Sequence, residues 1–231
     1  MEIINGDCLD LLESIPDKSI DILYTDPPYI PPEHSKTLTK YKKTLSEMGI
    51  LEGFVKTFLK QIDRVLKDDG IVLLYCNSDS YALFYIHLFP YVKKMRCFIW
   101  DKISCSLGYT FRHQHEMILC GERMNLKPIK CGTGDIFKYK VVKAKDKNHP
   151  AEKPVDLHKH ILQNIVDKDK VVLDPFAGTG SIGAACKELG CKYIGMELEL
   201  SFYLIIELEE IEVFVYHLQV SSNFYLDYVY F

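Results

Sequence analysis

The chain has 231 residues, is 48% hydrophobic and carries a formal net charge of −4. That is enough for one generous domain with a real core, and the absence of any run of eighteen uncharged apolar residues excludes a spanning helix. The acidic opening MEIINGDCLD lacks the basic region and apolar stretch of a secretory signal, and eight cysteines without a CxxC pair read as free thiols of a reduced cytoplasm.

Residues 19–24 read SIDILY, a strand interrupted by Asp21, and Asp-Pro-Pro turns the chain at its end. Residues 30–49 are polar and lysine-rich, carry Pro31 and Pro32, and are expected to form a mobile loop. Phe54, Val55, Phe58, Leu59, Ile62, Val65 and Leu66 recur at spacings of three and four, which predicts an amphipathic helix over 50–67. Asp68-Asp69-Gly70 ends it, residues 71–75 are a buried strand, 81–89 a helix, and 92–100 and 115–120 further strands. Residues 121–149 hold few large apolar side chains and many lysines, and read as an irregular insertion. Pro154 then opens a helix to about 166 with Leu157, Ile161, Leu162 and Ile165 inward. A strand at 171–173, a glycine loop, a helix at 181–189 and a strand at 192–196 follow. Strands alternating with helices predict an α/β fold on a mostly parallel sheet.

The charge is unevenly spread. From Arg123 to Lys147 there are eight basic and two acidic residues, and a second basic cluster runs from Lys36 to Lys43. From Glu197 to Glu212 there are six glutamates and no basic residue. A lysine run is as often a solvated face as a nucleic-acid footprint, so the distribution permits an anionic partner without requiring one.

Two loops carry the chemistry. Asp174-Pro175-Phe176-Ala177-Gly178-Thr179-Gly180 lies between a strand and a helix, where Gly178 and Gly180 allow close approach to a ligand and a sharp turn. Glu197 ends the next strand, seventeen residues after Gly180, where an acid can accept both hydroxyls of a ribose. The P-loop lysine and Ser/Thr are missing, which excludes a Walker motif. The second loop is Thr25-Asp26-Pro27-Pro28-Tyr29. Its prolines stiffen the chain, holding Asp26 and the Pro27 carbonyl as two acceptors suited to an exocyclic amine, with Tyr29 as a flat face beside them. Taken singly, each loop also fits an ordinary glycine turn or a proline-stiffened corner.

Together the loops resemble the amino-methyltransferase family that modifies DNA, whose signatures are DPPY for the amine and FxGxG for the methionine end of S-adenosyl-L-methionine. DPPY precedes FAGTG by 150 residues, which resembles the circularly permuted β class. The resemblance implies a Rossmann-like methyltransferase core in two parts, 1–120 and 149–212, a small irregular target-recognition insertion at 121–148, and an atypical tail at 213–231. It also implies further cofactor residues: Asp7 and Cys8 of the Gly-Asp-Cys element, Asp26, His149 and Lys153 of His-Pro-Ala-Glu-Lys-Pro, and Asp174, Pro175, Phe176, Gly178, Thr179, Gly180 and Glu197. The catalytic set is Asp26, Pro27, Pro28 and Tyr29. Lys36, Lys40, Lys42, Lys43, Arg112, Lys138, Lys140 and Lys143 are the expected contacts to double-stranded DNA.

The implied reaction is methylation of adenine N6 on a flipped base. Asp26 favours adenine, because relatives acting on cytosine N4 often carry serine there. An N4-cytosine enzyme and a catalytically silent DNA-binding subunit are the alternatives, and intact DPPY and FAGTG count against the second. His113 and His115 lack a third ligand nearby, so no metal is expected. The aromatic-rich tail departs from the family pattern and is open to three readings, a segment packed on the core, a homodimer surface or a partly ordered end.

Overall fold

In a computed structural model of the chain, described over residues 1–29, 48–105, 110–124, 132–142 and 152–206, the strands form one eight-stranded sheet. In chain order the elements are β1 (Glu2–Asn5), α1 (Cys8–Ser14), β2 (Ile20–Thr25), α2 (Met48–Val65), β3 (Leu66–Cys76), α3 (Tyr81–Leu88), β4 (Lys94–Asp101), β5 (His115–Glu122), β6 (Ile136–Lys138), α4 (Val155–Leu162), β7 (Val171–Asp174), α5 (Ser181–Leu189) and β8 (Lys192–Glu197). The sheet order is β1-β8-β7-β2-β3-β5-β4-β6. From β1 to β3 every neighbouring pair is parallel, whereas β5 runs antiparallel to both β3 and β4.

Two apolar layers sandwich the sheet. α1, α2 and α3 bury Leu12, Phe58, Leu59 and Phe84 against one face, and α4 and α5 bury Leu157, Ile161, Ile182 and Ala185 against the other. The spacing of three and four in α2 therefore does what it predicts, placing its apolar stripe on the sheet. β2 is buried on both faces along its whole length, as expected of a central parallel strand.

Two details differ from the expectation. β3 starts at Leu66 rather than at 71: Leu66 pairs with Ile20 and Ile71 with Ile22, so residues 67–70 bulge out opposite a single residue, Asp21. That excursion brings Lys67 to the Asp21 carboxylate at 2.8 Å, with Lys170 at 3.0 Å and the Val171 amide at 3.0 Å. Burial pushes this carboxyl upward, but those three donors outweigh it and hold its pKa below the usual range. The apparent interruption of SIDILY is thus a buried, satisfied charge. Second, Gly121 and Glu122 complete β5, and β6 pairs in parallel with β4 at the sheet edge, so residues 121–149 are not wholly irregular. Phe137 is buried between exposed neighbours and packs on Phe98 and His160; three residues are too short for a period to show. The sheet is mostly parallel as expected: β5 alone runs against its neighbours, and the β4–β6 pair is parallel again. The loop expected at 30–49 falls almost wholly outside the described residues, as does the tail at 213–231.

Candidate active site

β1, β8, β7 and β2 are parallel neighbours, so their carboxyl ends share one edge of the sheet, where ligands bind in open α/β folds. β7 and β2 are adjacent, which sets the glycine loop beside the Asp-Pro-Pro-Tyr corner. Thr25 Oγ1 ties the two together by donating to Asp174 Oδ1 at 2.6 Å. A cleft opens over this edge. Gly6, Asp7, Cys8, Asp26, Pro28 and Lys153 line it, with Asp174 through Thr179, Glu197 and Phe202 also on its wall.

The glycine loop is built for close approach. Gly178 and Gly180 have φ of +56° and +78°, the left-handed region that suits glycine. A Cβ on Gly178 would meet no protein atom within 4 Å, so the space beside its backbone is free for a ligand. Phe176 is held from below by Phe54 and Phe58 of α2, with ring centroids at 6.0 and 5.6 Å. Glu197 accepts from the Gly178 amide at 2.7 Å through Oε2 and from the Glu199 amide at 2.8 Å through Oε1. Each oxygen keeps a further lone pair, so the carboxylate still suits a diol. Asp7 caps α1 by accepting from the Leu9 amide at 2.8 Å while facing the same cleft.

Six acidic residues line the cleft against one lysine: Asp7, Asp26, Glu152, Asp174, Glu197 and Glu199 face Lys153. This donor set disfavours a phosphate-bearing dinucleotide and suits a nucleoside carrying positive charge. S-adenosyl-L-methionine, a sulfonium nucleoside, fits that chemistry, and Phe176, Ile182, Leu198 and Phe202 supply apolar walls.

Lys153 is buried, and its ammonium pairs with Asp26 Oδ2; it is a partner of the Asp-Pro-Pro-Tyr corner as well as a wall of the cleft. Among the described residues the other oxygen, Asp26 Oδ1, is buried with no hydrogen-bond partner. Tyr29 is half-buried against the core and is not among the cleft residues. Arg112, Lys138 and Lys140 are exposed. Lys36, Lys40, Lys42, Lys43, Lys143 and His149 lie outside the described residues. Among those described, no group of three or more His, Cys, Asp or Glu could hold a metal, and no helix is long and apolar enough to cross a membrane.

Sequence reasoning missed a polar core behind the cleft. His158 Nδ1 shares a hydrogen bond with Tyr24 Oη at 2.9 Å and its Nε2 one with Ser181 Oγ at 3.2 Å, while Tyr24 and Tyr75 join at 3.1 Å. Burial, helped by the nearby Lys153 charge, lowers the His158 pKa to about 3, so the ring is neutral. The signal was present: residue 158 stands three before Ile161 and four before Leu162, on the apolar stripe of α4.

Asp174 is fully enclosed, and burial drives its pKa from 3.8 to about 7. The bonds from Thr25, Phe176 and Tyr193 pull it down and the Asp26 charge pushes it up. The folded chain holds this proton more tightly than the unfolded one. Asp174 therefore lends stability that is complete below the unfolded pKa and fades as the pH rises through about 7. Asp174→Asn should gain on the parent in urea midpoint as the pH rises from about 4 to about 8; a constant difference would mean that Asp174 carries no raised pKa.

The fold is the Rossmann-like fold of S-adenosyl-L-methionine-dependent methyltransferases. Residues 122–208 match the DNA methylase family model for N6 and N4 amines. The type II methyltransferase M.HinfI of Haemophilus influenzae is 28% identical over 89% of this chain and 67% of its own. Among solved structures, the cytosine-N4-specific PvuII DNA methyltransferase superposes with a TM-score of 0.72 at 17% identity, covering 89% of this chain and 84% of its own. TTHA0409 of Thermus thermophilus, complexed with S-adenosyl-L-methionine, gives 0.68 at 17%, covering 90% and 92%. The chain is thus similar to N6/N4 DNA methylases, through the family model over residues 122–208 and through type II methyltransferases over most of its length.

Proposed function

We propose that the protein transfers the methyl group of S-adenosyl-L-methionine to the N6 amine of adenine in double-stranded DNA. The observation that carries this reading is the free Oδ1 of Asp26, a buried acceptor at the end of β2, next to the glycine loop at the end of β7. An exocyclic amine conjugated to a ring is a poor nucleophile. Hydrogen bonds from it to Asp26 Oδ1 and to the Pro27 carbonyl favour a pyramidal nitrogen and free its lone pair. The donor supplies an electrophilic methyl on a sulfonium. The nitrogen lone pair would form the new N–C bond as the S–C pair returns to sulfur, and the nitrogen would then lose a proton, which we assign to Asp26 Oδ1. The protein's part is orientation and electrostatics.

The target amine is buried in a duplex, so the base is flipped into the site. Residues 121–148 act as the recognition segment between the two parts of the core. The carboxylate of Asp26 favours adenine over cytosine. Mass spectrometry of digested DNA after treatment decides the matter: N6-methyladenine supports the proposal, N4-methylcytosine replaces it, and absence of both with no cofactor binding marks a silent subunit.

The exposed Lys138 and Lys140 on and beside β6 are assigned to phosphates. Replacing both by alanine should weaken DNA binding at every sequence and shrink the slope of log K against log salt by about 2. An unchanged slope in a filter-binding titration would remove them from the interface.

A further inference from the structure

Lys153 carries a charge in a place that should reject one: its side chain is 5% exposed. A buried ammonium persists only with good partners. Asp26 faces it from the end of β2, Glu116 from β5 at 3.7 Å, and the ring of Tyr75 from β3 at 4.5 Å. Asp174 at the end of β7 and the neutral His158 of α4 stand further off. Glu116 is itself only 17% exposed and is gripped from behind, since Lys102 Nζ donates to its Oε1 at 2.6 Å. Lys102, Glu116, Lys153 and Asp26 thus form a row of alternating charge that enters the Asp-Pro-Pro-Tyr corner from the antiparallel half of the sheet.

We propose that Glu116 is a positioning residue for methyl transfer: it balances the Lys153 ammonium and holds it on Asp26 Oδ2, so that Oδ1 stays free and strong as the acceptor for the amine. This rests on the function proposed above and deepens it. A carboxylate with one oxygen pinned cannot rotate, so the other oxygen has a defined direction. Lys153 alone would also draw charge away from Asp26 and weaken it as an acceptor. During transfer, positive charge moves from sulfur to the nitrogen beside Asp26, and a site left with a surplus cation opposes that movement. With Glu116 ionised the row is neutral; with a neutral residue there it carries one positive charge too many.

The titration behaviour agrees with the geometry. Burial lowers the Lys153 pKa, but Asp26 and Glu116 more than restore it. Burial raises that of Glu116, and Lys153 and Lys102 pull it below the usual carboxylate range. Losing the Glu116 charge should therefore let the Lys153 pKa fall.

The test is single-turnover methylation of duplex DNA across pH, with calorimetric S-adenosyl-L-methionine affinity and the Lys153 ammonium followed by nitrogen-15 NMR. Glu116→Gln should slow transfer about tenfold or more, leave cofactor affinity within about threefold, and move both the alkaline limb and the Lys153 titration to lower pH. Glu116→Asp, which keeps the charge, should recover most of the rate. A glutamine variant with the parent's rate and pH profile overturns the proposal, as does a rate loss with the Lys153 titration unmoved. If the glutamine variant fails to fold, Lys102→Met, which leaves the row one positive charge short, should move the Lys153 titration and the alkaline limb to higher pH; no shift, or a shift to lower pH, overturns the proposal. A parent enzyme without transferase activity, or an active Asp26→Ala, sinks the underlying function while leaving the lysine titration intact, so the two failures are distinguishable.

Discussion

Asp26→Ala is expected to bind S-adenosyl-L-methionine nearly as the parent does and to transfer almost no methyl. Asp26 is one residue of the cleft wall, whereas Gly178, Glu197 and Asp7 belong to other parts of it. The lost hydrogen bond acts where positive charge develops, and removing one such group commonly costs about 10²–10³ in rate. Stranding a buried ammonium outright costs about 3–5 kcal/mol, but Lys153 retains Glu116 as a partner, so the fold should survive. Asp26→Asn separates shape from charge: it keeps an oxygen for the amine but removes the anion that Lys153 holds, and should lie nearer to alanine than to the parent. Labelled-methyl incorporation with calorimetry alongside reads both quantities. Substantial transfer by the alanine variant would end the proposed mechanism.

Gly178→Val should do the opposite, abolishing cofactor binding before chemistry is reached. At φ +56° a branched residue is strained by about 1–2 kcal/mol, which shows as a lower melting temperature. The larger effect is steric. Nothing in the protein lies within 4 Å of a Cβ there, so the isopropyl group occupies the space the ligand needs. The same distortion threatens the Gly178 amide bond that orients Glu197. A loss of about a hundredfold in affinity, roughly 2.8 kcal/mol, is expected, with Gly178→Ala intermediate. A valine variant that binds with the parent's affinity would remove the glycine loop from the cofactor site.

The features legible in the sequence were those with local causes. The helix at 181–189 starts after a left-handed Gly180 and stops at a left-handed Gly190, and glycine punctuation of that kind is visible without a structure. The two motif loops are legible for the same reason, since proline and glycine dictate backbone shape where they stand. The charge row was not. Glu116 and Lys153 are distant in the chain, and only the reversal of direction at β5 brings the first beside the second. β6 was lost to its shortness, and the bulge at 67–70 to the assumption that Asp-Asp-Gly ends a helix. Asp21, an acid in an apolar run, has partners on both sides that no periodicity reveals.

The pairing of β1 with β8 has a consequence for the life of the chain before it is an enzyme. Ile3 lies opposite Gly195, and the Gly6 amide donates to the Glu197 carbonyl at 3.0 Å, so β1 waits for β8, almost two hundred residues later in the chain. Closing so distant a contact is slow. During synthesis β1 lacks its sheet neighbour, and Asp7 cannot share the cleft with Glu197 until β8 has left the ribosome. A chain that lacks β8 therefore lacks the Glu197 wall of the cleft, and the proposed activity waits for that strand.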